Sequence, residues 1–144
     1  MKKQIETEIK ISAAPNIVWR ILTDFASYPD WNPFIQWVKG EVKEQNHISV
    51  RIVPVGSRGM TFNPLVLSVI ENKEIKWFGS TICKGLFDGE HHFIIQDNGD
   101  GTTTFLQREY FSGIFAGLFD TKNTETGFHA MNKKLKELAE ANEK

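Results

Sequence analysis

Apolar and polar residues alternate along the first part of the chain, and the period then becomes helical. Residues 5–11 place isoleucine or threonine between charged side chains, which predicts a strand with one face in water. From Pro15 to Phe25 apolar residues recur at helical spacing, and a proline suits the first helical turn because its missing N–H would have no partner there. Pro29 and Pro33 then exclude a long helix. The aromatic residues around them are expected to form a hydrophobic plug: Tyr28, Trp31, Phe34 and Trp37.

The rest of the chain predicts consecutive antiparallel strands followed by one long helix. Strand-like segments separated by turn residues occur at 37–42, 47–54, 61–70, 74–80, 86–96 and 102–113. Between about 119 and 142 the period is helical, with one apolar stripe: Phe128, Met131, Leu135 and Leu138. Strands and helices do not alternate, which argues against a parallel sheet. We predict an α+β fold in which a curved antiparallel sheet of about seven strands, with two short helices after the first strand, wraps around the C-terminal helix.

The composition fits one soluble domain spanning residues 1–144 and argues against several classes of function. Hydrophobic residues make up 40% of the chain, charged residues 24%, and the formal net charge is −1, with no basic cluster to indicate nucleic-acid binding. No apolar run approaches the roughly 20 residues of a membrane-spanning helix, so no integral membrane association is expected. The N-terminus has no signal-peptide core, and the single Cys83 permits no intrachain disulfide. We expect a cytoplasmic protein that is a monomer or a weak homodimer.

Strand 86–96 presents two sets of side chains that differ in polarity. The more apolar set contains Phe87, His91 and Phe93, so His91 is expected to point into the interior and His92 to point outward. The scattered histidines and the lack of partnering cysteines give no metal-site spacing, and no nucleotide-binding motif is present. We therefore predict neither a metal nor a cofactor.

The neighbouring strand 102–113 carries Phe105, Gln107 and Glu109 on its expected inner face. Glu109 and His91 would then meet across the strands in apolar surroundings, where a carboxylate and an imidazole can act as a general acid–base pair. The same pair is compatible with a structural contact that orients a ligand. A shift of one residue would exchange the two faces, so the opposite assignment stays open. Arg51 is either a counter-ion in the pocket or an outward-pointing side chain, and the second interpretation is favoured.

Four segments carry a resemblance to a known superfamily. They are ISAAPNIVWRILTDF at 11–25, Y-x-x-W-N-P-F at 28–34, G-E-H-x-F at 89–93 and R-E-x-F-S-G at 108–113. In these segments and in its order of elements, the chain resembles the START-like, or helix-grip, superfamily (SRPBCC), in particular its polyketide cyclase/dehydrase-like subgroup. The resemblance implies a helix-grip fold with a deep apolar pocket under the C-terminal helix. Members bind lipids, hormones, polyketides or aromatic compounds, and a minority catalyse cyclisation, dehydration or hydrolysis.

We therefore expect the chain to bind a small, mostly hydrophobic molecule such as a lipid, a polyketide or an aromatic compound. One alternative is a cyclase, dehydratase or hydrolase that uses Glu109 and His91 as its acid–base pair. A second alternative is a regulatory or partner-binding protein whose pocket is filled by its own aromatic side chains. Segments 55–63 and 114–119 are expected to act as lids. The expected ligand-binding residues are Trp77, Phe87, His91, Phe93, Phe105, Gln107, Glu109, Thr124, Phe128, Met131 and Asn132.

Overall fold

The computed structural model describes residues 2–56, 58–81, 87–113 and 121–143. The chain begins with strand β1 (Lys2–Ile11), helix α1 (Pro15–Leu22), a single 3-10 turn (Phe25–Ser27) and the short helix α2 (Tyr28–Trp31). The strands that follow are β2 (Ile35–Lys39), β3 (Ser49–Ile52), β4 (Met60–Phe62), β5 (Leu65–Ile70), β6 (Glu74–Thr81), β7 (Phe87–Asp97) and β8 (Thr103–Ser112). Helix α3 (Lys122–Glu143) completes the described part of the chain.

The strands pair antiparallel in two sheets. One is five-stranded, with the order β1-β8-β7-β6-β5, and the other is three-stranded, with the order β2-β3-β4. Helix α3 packs against β1, β8 and α1, so its apolar face covers the inner face of the five-stranded sheet. This architecture confirms the predicted α+β fold with a curved antiparallel sheet and a long C-terminal helix.

The predicted strand at 61–70 is two strands in the structure, so the described residues form eight strands rather than about seven. Pro64 separates β4 from β5, since proline has no N–H to donate to a sheet ladder. Strand β4 pairs with β3, whereas β5 pairs with β6. The chain therefore passes from one sheet to the other at this proline.

The aromatic segment around α2 is only partly in the core. Tyr28 and Phe34 are 0% and 1% exposed. Trp31 and Trp37 keep part of their surface in solvent, and the ammonium group of Lys39 lies 4.5 Å from the centroid of the Trp37 ring. The expectation of a four-residue plug is therefore wrong for Trp37, which lies outside the core.

Asn32 directs Phe34 into the interior. Its Oδ1 accepts hydrogen bonds from the backbone N–H groups of Phe34 (2.9 Å) and Ile35 (2.8 Å), which turns the chain from α2 into β2. The Phe34 ring then packs edge-on against Phe128 of α3, with 5.2 Å between the ring centroids. The same ring occupies the space that a Cβ on Gly127 would need. Phe34 thus fills part of the space beneath α3.

Helix α3 presents one apolar face to the sheet. Leu138, expected on that face, is only partly buried. Ala139 is buried instead, because it lies four residues after Leu135 and so continues the same face. Within the described ranges, no helix is both long enough and apolar enough to cross a membrane. The buried residues of α3 are Thr124, Gly127, Phe128, Met131, Asn132, Leu135 and Ala139.

Candidate functional site

The inner face of the five-stranded sheet carries three residues in one cross-strand row. Trp77 of β6 pairs with His91 of β7, and His91 pairs with Glu109 of β8. His91 is 1% exposed. His92 lies on the outer face, where its Nε2 is 2.6 Å from Oε2 of Glu90. The described side chains of β7 and β8 that were predicted to face the interior therefore do so. The opposite assignment of the two strand faces is excluded.

Both ring nitrogens of His91 take part in hydrogen bonds. Nδ1 lies 2.9 Å from Oε1 of Glu109, and Nε2 lies 2.9 Å from Oε1 of Gln107. The sequence predicted that His91 and Glu109 would meet. It placed Gln107 on the same face but gave no sign that the Gln107 amide binds the imidazole.

A chain of hydrogen bonds continues from Gln107 to the first strand. Gln107 Nε2 donates to Oδ1 of Asn132 in α3 (2.8 Å), and Asn132 Nδ2 donates to Oγ1 of Thr7 in β1 (2.9 Å). The Thr7 hydroxyl donates to the backbone carbonyl of Gln107 (3.0 Å). That last bond fixes the direction of the whole chain, because a backbone carbonyl can only accept. His91 Nε2 must then donate to Gln107 Oε1, so this nitrogen carries a hydrogen.

The other ring nitrogen of His91 shares a proton with Glu109. The bond between Nδ1 and Oε1 needs one hydrogen, which is carried by the imidazole or by the carboxyl group. The first arrangement is an imidazolium–carboxylate pair, and in the second both groups are uncharged. In either arrangement the pair is neutral as a whole and holds a proton between its two members, as general acid–base chemistry requires.

Gly89 leaves the space in which the Glu109 carboxylate lies. A Cβ on Gly89 would come within 2.5 Å of Oε2 of Glu109, closer than a real Cβ approaches any atom. The Glu109 side chain keeps 14% of its surface exposed. Among the residues that the structure describes, none forms a hydrogen bond to Oε2. Within the described residues, the carboxylate thus has one oxygen bound to His91 and one oxygen without a hydrogen bond.

Residues 2–142 match the family described as polyketide cyclase/dehydrase and lipid transport. The chain belongs to this family. Because that description joins polyketide chemistry with lipid transport, the fold is one associated with hydrophobic ligands. A search of curated proteins finds no match to the chain.

Solved structures with low sequence identity share the fold of this family member. A hypothetical protein, jhp0584, from Helicobacter pylori has a TM-score of 0.76 at 15% identity, over 99% of this chain and 88% of that one. A norcoclaurine synthase point mutant from Thalictrum flavum, in complex with a transition-state analogue, has a TM-score of 0.72 at 14% identity, over 100% and 98%. A START superfamily protein from Mycobacterium smegmatis has a TM-score of 0.66 at 15% identity, over 97% and 96%. These similarities confirm the START-like fold that the resemblance implied.

Aromatic rings surround His91 in this member of the polyketide cyclase/dehydrase and lipid transport family. The centroid of its ring is 4.3 Å from that of Phe93, 5.0 Å from Phe128 and 5.8 Å from Trp77. Phe105 is stacked on Phe93 at 6.3 Å. The structure therefore brings four of the predicted lining residues together around the His91–Glu109 pair.

The described part of the predicted pocket lining is closely packed. Phe34, which was not among the predicted site residues, lies against Phe128 and occupies space beneath α3. Among the described residues, Phe34 reaches this space from the loop between α2 and β2. The predicted lining residues that are no more than 5% exposed are Trp77, His91, Phe93, Phe105, Gln107, Thr124, Phe128, Met131 and Asn132.

Several expected residues stand apart from the His91–Glu109 pair. Thr124 and Met131 are buried on the Phe128 face of α3, but within the described ranges neither has a hydrogen bond or ring contact to His91. The Phe87 side chain, Cys83 and segment 114–119 lie outside the described residues. The described part of segment 55–63 follows β3 and includes all of β4.

Arg51 does not reach the pair. Its Nη1 donates to Oγ1 of Thr61 (3.2 Å) and its Nη2 to the carbonyl of Arg58 (2.9 Å), in agreement with the outward-pointing interpretation. Across the described residues, no group of three or more potential ligands is arranged to hold a metal ion.

Thr7 and Gly89 also belong to the site, and neither was predicted from the sequence. A threonine between the inward isoleucines of β1 indicates a buried hydroxyl that needs partners, and Thr7 has them. A glycine inside a strand pattern indicates a close approach by another group, and at Gly89 that group is the Glu109 carboxylate. Both features are visible in the sequence, but neither identifies the group that the residue contacts.

Proposed function

We propose that the protein binds a small, mostly hydrophobic ligand at the inner face of β6, β7 and β8, beneath α3. The observation that carries the proposal is the open Oε2 of Glu109, set beside the rings around His91. Burial contributes about 25 cal/mol for each Å² of apolar surface removed from water, so contact with these rings would supply most of the affinity. One polar anchor would then be enough to set the orientation of the ligand.

On this proposal, ligand entry displaces Phe34 from the interior. The ring lies at the start of β2 in a turn held by Asn32, and its edge-on contact with Phe128 is worth about 0.5–1.5 kcal/mol beyond area burial. A ligand that places its own apolar surface on Phe128 would replace that contact. The packed arrangement is then the ligand-free state of the site.

A thermal-shift screen of the purified protein against fatty acids, sterols, flavonoids and small aromatic polyketides tests the proposal. A ligand that binds only the folded protein raises the melting temperature. We expect a class of ligands to do so, and we expect the shift to shrink in Glu109→Ala. The matched control is Glu90→Gln, which alters the outward pair between Glu90 and His92 on the outer face of the neighbouring strand β7. If no compound in the panel changes the melting temperature, the proposal is wrong, and the aromatic side chains form a filled core.

The proton shared by His91 and Glu109 supports a second candidate function at the same place, an acid–base enzyme of the cyclase, dehydratase or hydrolase type. This candidate predicts that a ligand found in the screen is converted to a product that mass spectrometry detects. Glu109→Gln should then abolish turnover while the Kd changes little. A ligand recovered unchanged after long incubation with the wild-type protein would leave binding as the function.

A further inference from the structure

The two carboxylate oxygens of Glu109 differ in their surroundings. Oε1 is bound to Nδ1 of His91 at 2.9 Å. Oε2 lies over Gly89, where any side chain would displace it. No hydrogen bond to Oε2 comes from the part of the chain that the structure describes. The side chain is 14% exposed, and Oε2 is not one of the buried polar atoms that lack a partner, so this oxygen is one that a ligand can reach.

The hydrogen-bond chain determines what Oε2 can do. His91 Nε2 donates to Gln107, because the Thr7 hydroxyl fixes the direction of the chain. One further proton lies between Nδ1 and Oε1 of Glu109. Whether that proton belongs to the imidazole or to the carboxyl group, Oε2 carries no hydrogen and is an acceptor only. A hydrogen on Oε2 would need a third proton, which would leave a net positive charge among buried aromatic rings.

The His91–Glu109 pair has no free hydrogen-bond donor for an anionic group of a ligand. A ligand carboxylate beside Oε2 would bring two acceptors together without a hydrogen between them, in surroundings that screen charge poorly. Arg108 adjoins Glu109 in sequence and so faces the other side of the sheet. Lys3, on the same face of β1 opposite Phe111, is already engaged in another interaction.

We infer that the ligand presents a hydroxyl group, alcoholic or phenolic, that donates a hydrogen bond to Oε2 of Glu109, and that carboxylates are selected against. This inference rests on the proposed ligand-binding function and adds the chemical class of the ligand. It places Gly89 as a positioning residue, which keeps the carboxylate oriented with one oxygen on His91 and the other toward the ligand.

Three probes of the same aromatic size test the inference by titration calorimetry near neutral pH: 2-naphthol, 2-methoxynaphthalene and 2-naphthoate. Only the first donates a hydrogen bond, and one hydrogen bond to a desolvated acceptor corresponds to a preference on the order of tenfold. We expect 2-naphthol to bind at least that much more tightly than either other probe. Equal binding of 2-naphthol and 2-methoxynaphthalene, or tighter binding of 2-naphthoate, would overturn the inference and leave the hydrophobic site standing. Failure of all three probes to bind would contradict both proposals.

Two variants show whether the preference comes from Oε2. Glu109→Gln places an amide at this position, and we expect the preference for 2-naphthol over 2-naphthoate to disappear or to reverse. Gly89→Ala keeps the carboxyl group but displaces it, and we expect it to weaken 2-naphthol binding about threefold, which corresponds to half the free energy of a tenfold preference, with little effect on 2-methoxynaphthalene. Circular dichroism verifies the fold of each, and Glu90→Gln should retain the wild-type preference. An unchanged preference in a folded Glu109→Gln variant would place the anchor elsewhere.

Discussion

The ring of Phe34 occupies the space that a Cβ on Gly127 would need. In an exposed part of a helix, replacing glycine with alanine stabilises by about 1 kcal/mol, because the helix loses less backbone entropy. At Gly127 the added methyl group would overlap the Phe34 ring, and overpacking of a core costs about 1–3 kcal/mol. We therefore predict that Gly127→Ala lowers the free energy of unfolding, measured by urea denaturation.

The background Phe34→Leu provides the control for this prediction, because the smaller side chain removes the ring from Gly127. In that background we expect Gly127→Ala to be neutral or stabilising, so the double-mutant cycle should show a favourable coupling energy. A Gly127→Ala protein more stable than the wild type would mean that the ring has room to shift without loss.

Removal of the ring itself should open a space that small apolar molecules can enter. Phe34 is 1% exposed, and a buried phenylalanine replaced by alanine costs about 3–5 kcal/mol. We predict that Phe34→Ala loses stability of this order and that toluene recovers part of it, as measured by unfolding with and without toluene. Phe62→Ala, in the partly exposed strand β4, should lose less and should show no toluene effect. If toluene does not raise the stability of Phe34→Ala, the core has collapsed into the space that the ring leaves.

The alternation of apolar residues favoured the correct inward-facing side chains of β7 and β8, and the register in the structure excluded the opposite face. Phe93 and Phe105 mark the buried face, and the period of two then places His91 and Glu109 on it. Because hairpin-linked strands pair with their neighbours, the contact between these two residues followed once these faces were taken as the inner ones. The predicted strand at 61–70 is divided at Pro64 because β4 and β5 join different sheets, and the local pattern does not contain that information.

The position of Phe34 could not be predicted, because it depends on contacts between segments that are distant in the sequence. The turn at Asn32 aims the ring inward, but only the glycine at position 127 provides the space to receive it. The bond from Gln107 to Asn132 likewise depends on how α3 is rotated and translated over the sheet. Helical periodicity identifies the buried face of α3 but not the position of the helix along the strands. The chain of hydrogen bonds from His91 to Thr7 was therefore seen only in the structure.

Thr7→Val tests the chain of hydrogen bonds from His91 to Thr7, because valine has nearly the same shape as threonine. The substitution leaves Asn132 Nδ2 without its acceptor and removes the donor to the Gln107 carbonyl. A buried polar group left unsatisfied costs about 1–3 kcal/mol. We predict a loss of about 2 kcal/mol in guanidinium denaturation. The control is Thr104→Val on β8, whose hydroxyl bonds Asn98 at the surface and should matter little. Equal losses of unfolding free energy in the two variants would argue against a special role for this chain of hydrogen bonds.

Glu140 joins the last turns of α3 to the end of β1. Its Oε2 accepts a hydrogen bond from the backbone N–H of Ser12 (2.8 Å) and forms an ion pair with Lys136. The hydrogen bond from Lys136, and next the one from Ser12, lower the pKa of the Glu140 carboxyl below its ordinary value of 4.5. A carboxyl group whose pKa is lower in the folded than in the unfolded state stabilises the fold above the unfolded pKa. That contribution is lost as the pH falls through the folded pKa.

We therefore predict that Glu140→Gln is less stable than the wild type near neutral pH and that the difference shrinks as the pH falls below 4.5, because protonated Glu140 and glutamine then carry the same charge. Urea midpoints of both proteins, measured from about pH 7 to about pH 3, give this difference directly. Glu137→Gln alters an exposed pair with Lys134 (3.5 Å) and should change stability little at any pH. A wild-type advantage over Glu140→Gln that persists unchanged at about pH 3 would show that the packing of this residue, and not its charge, holds α3 to β1.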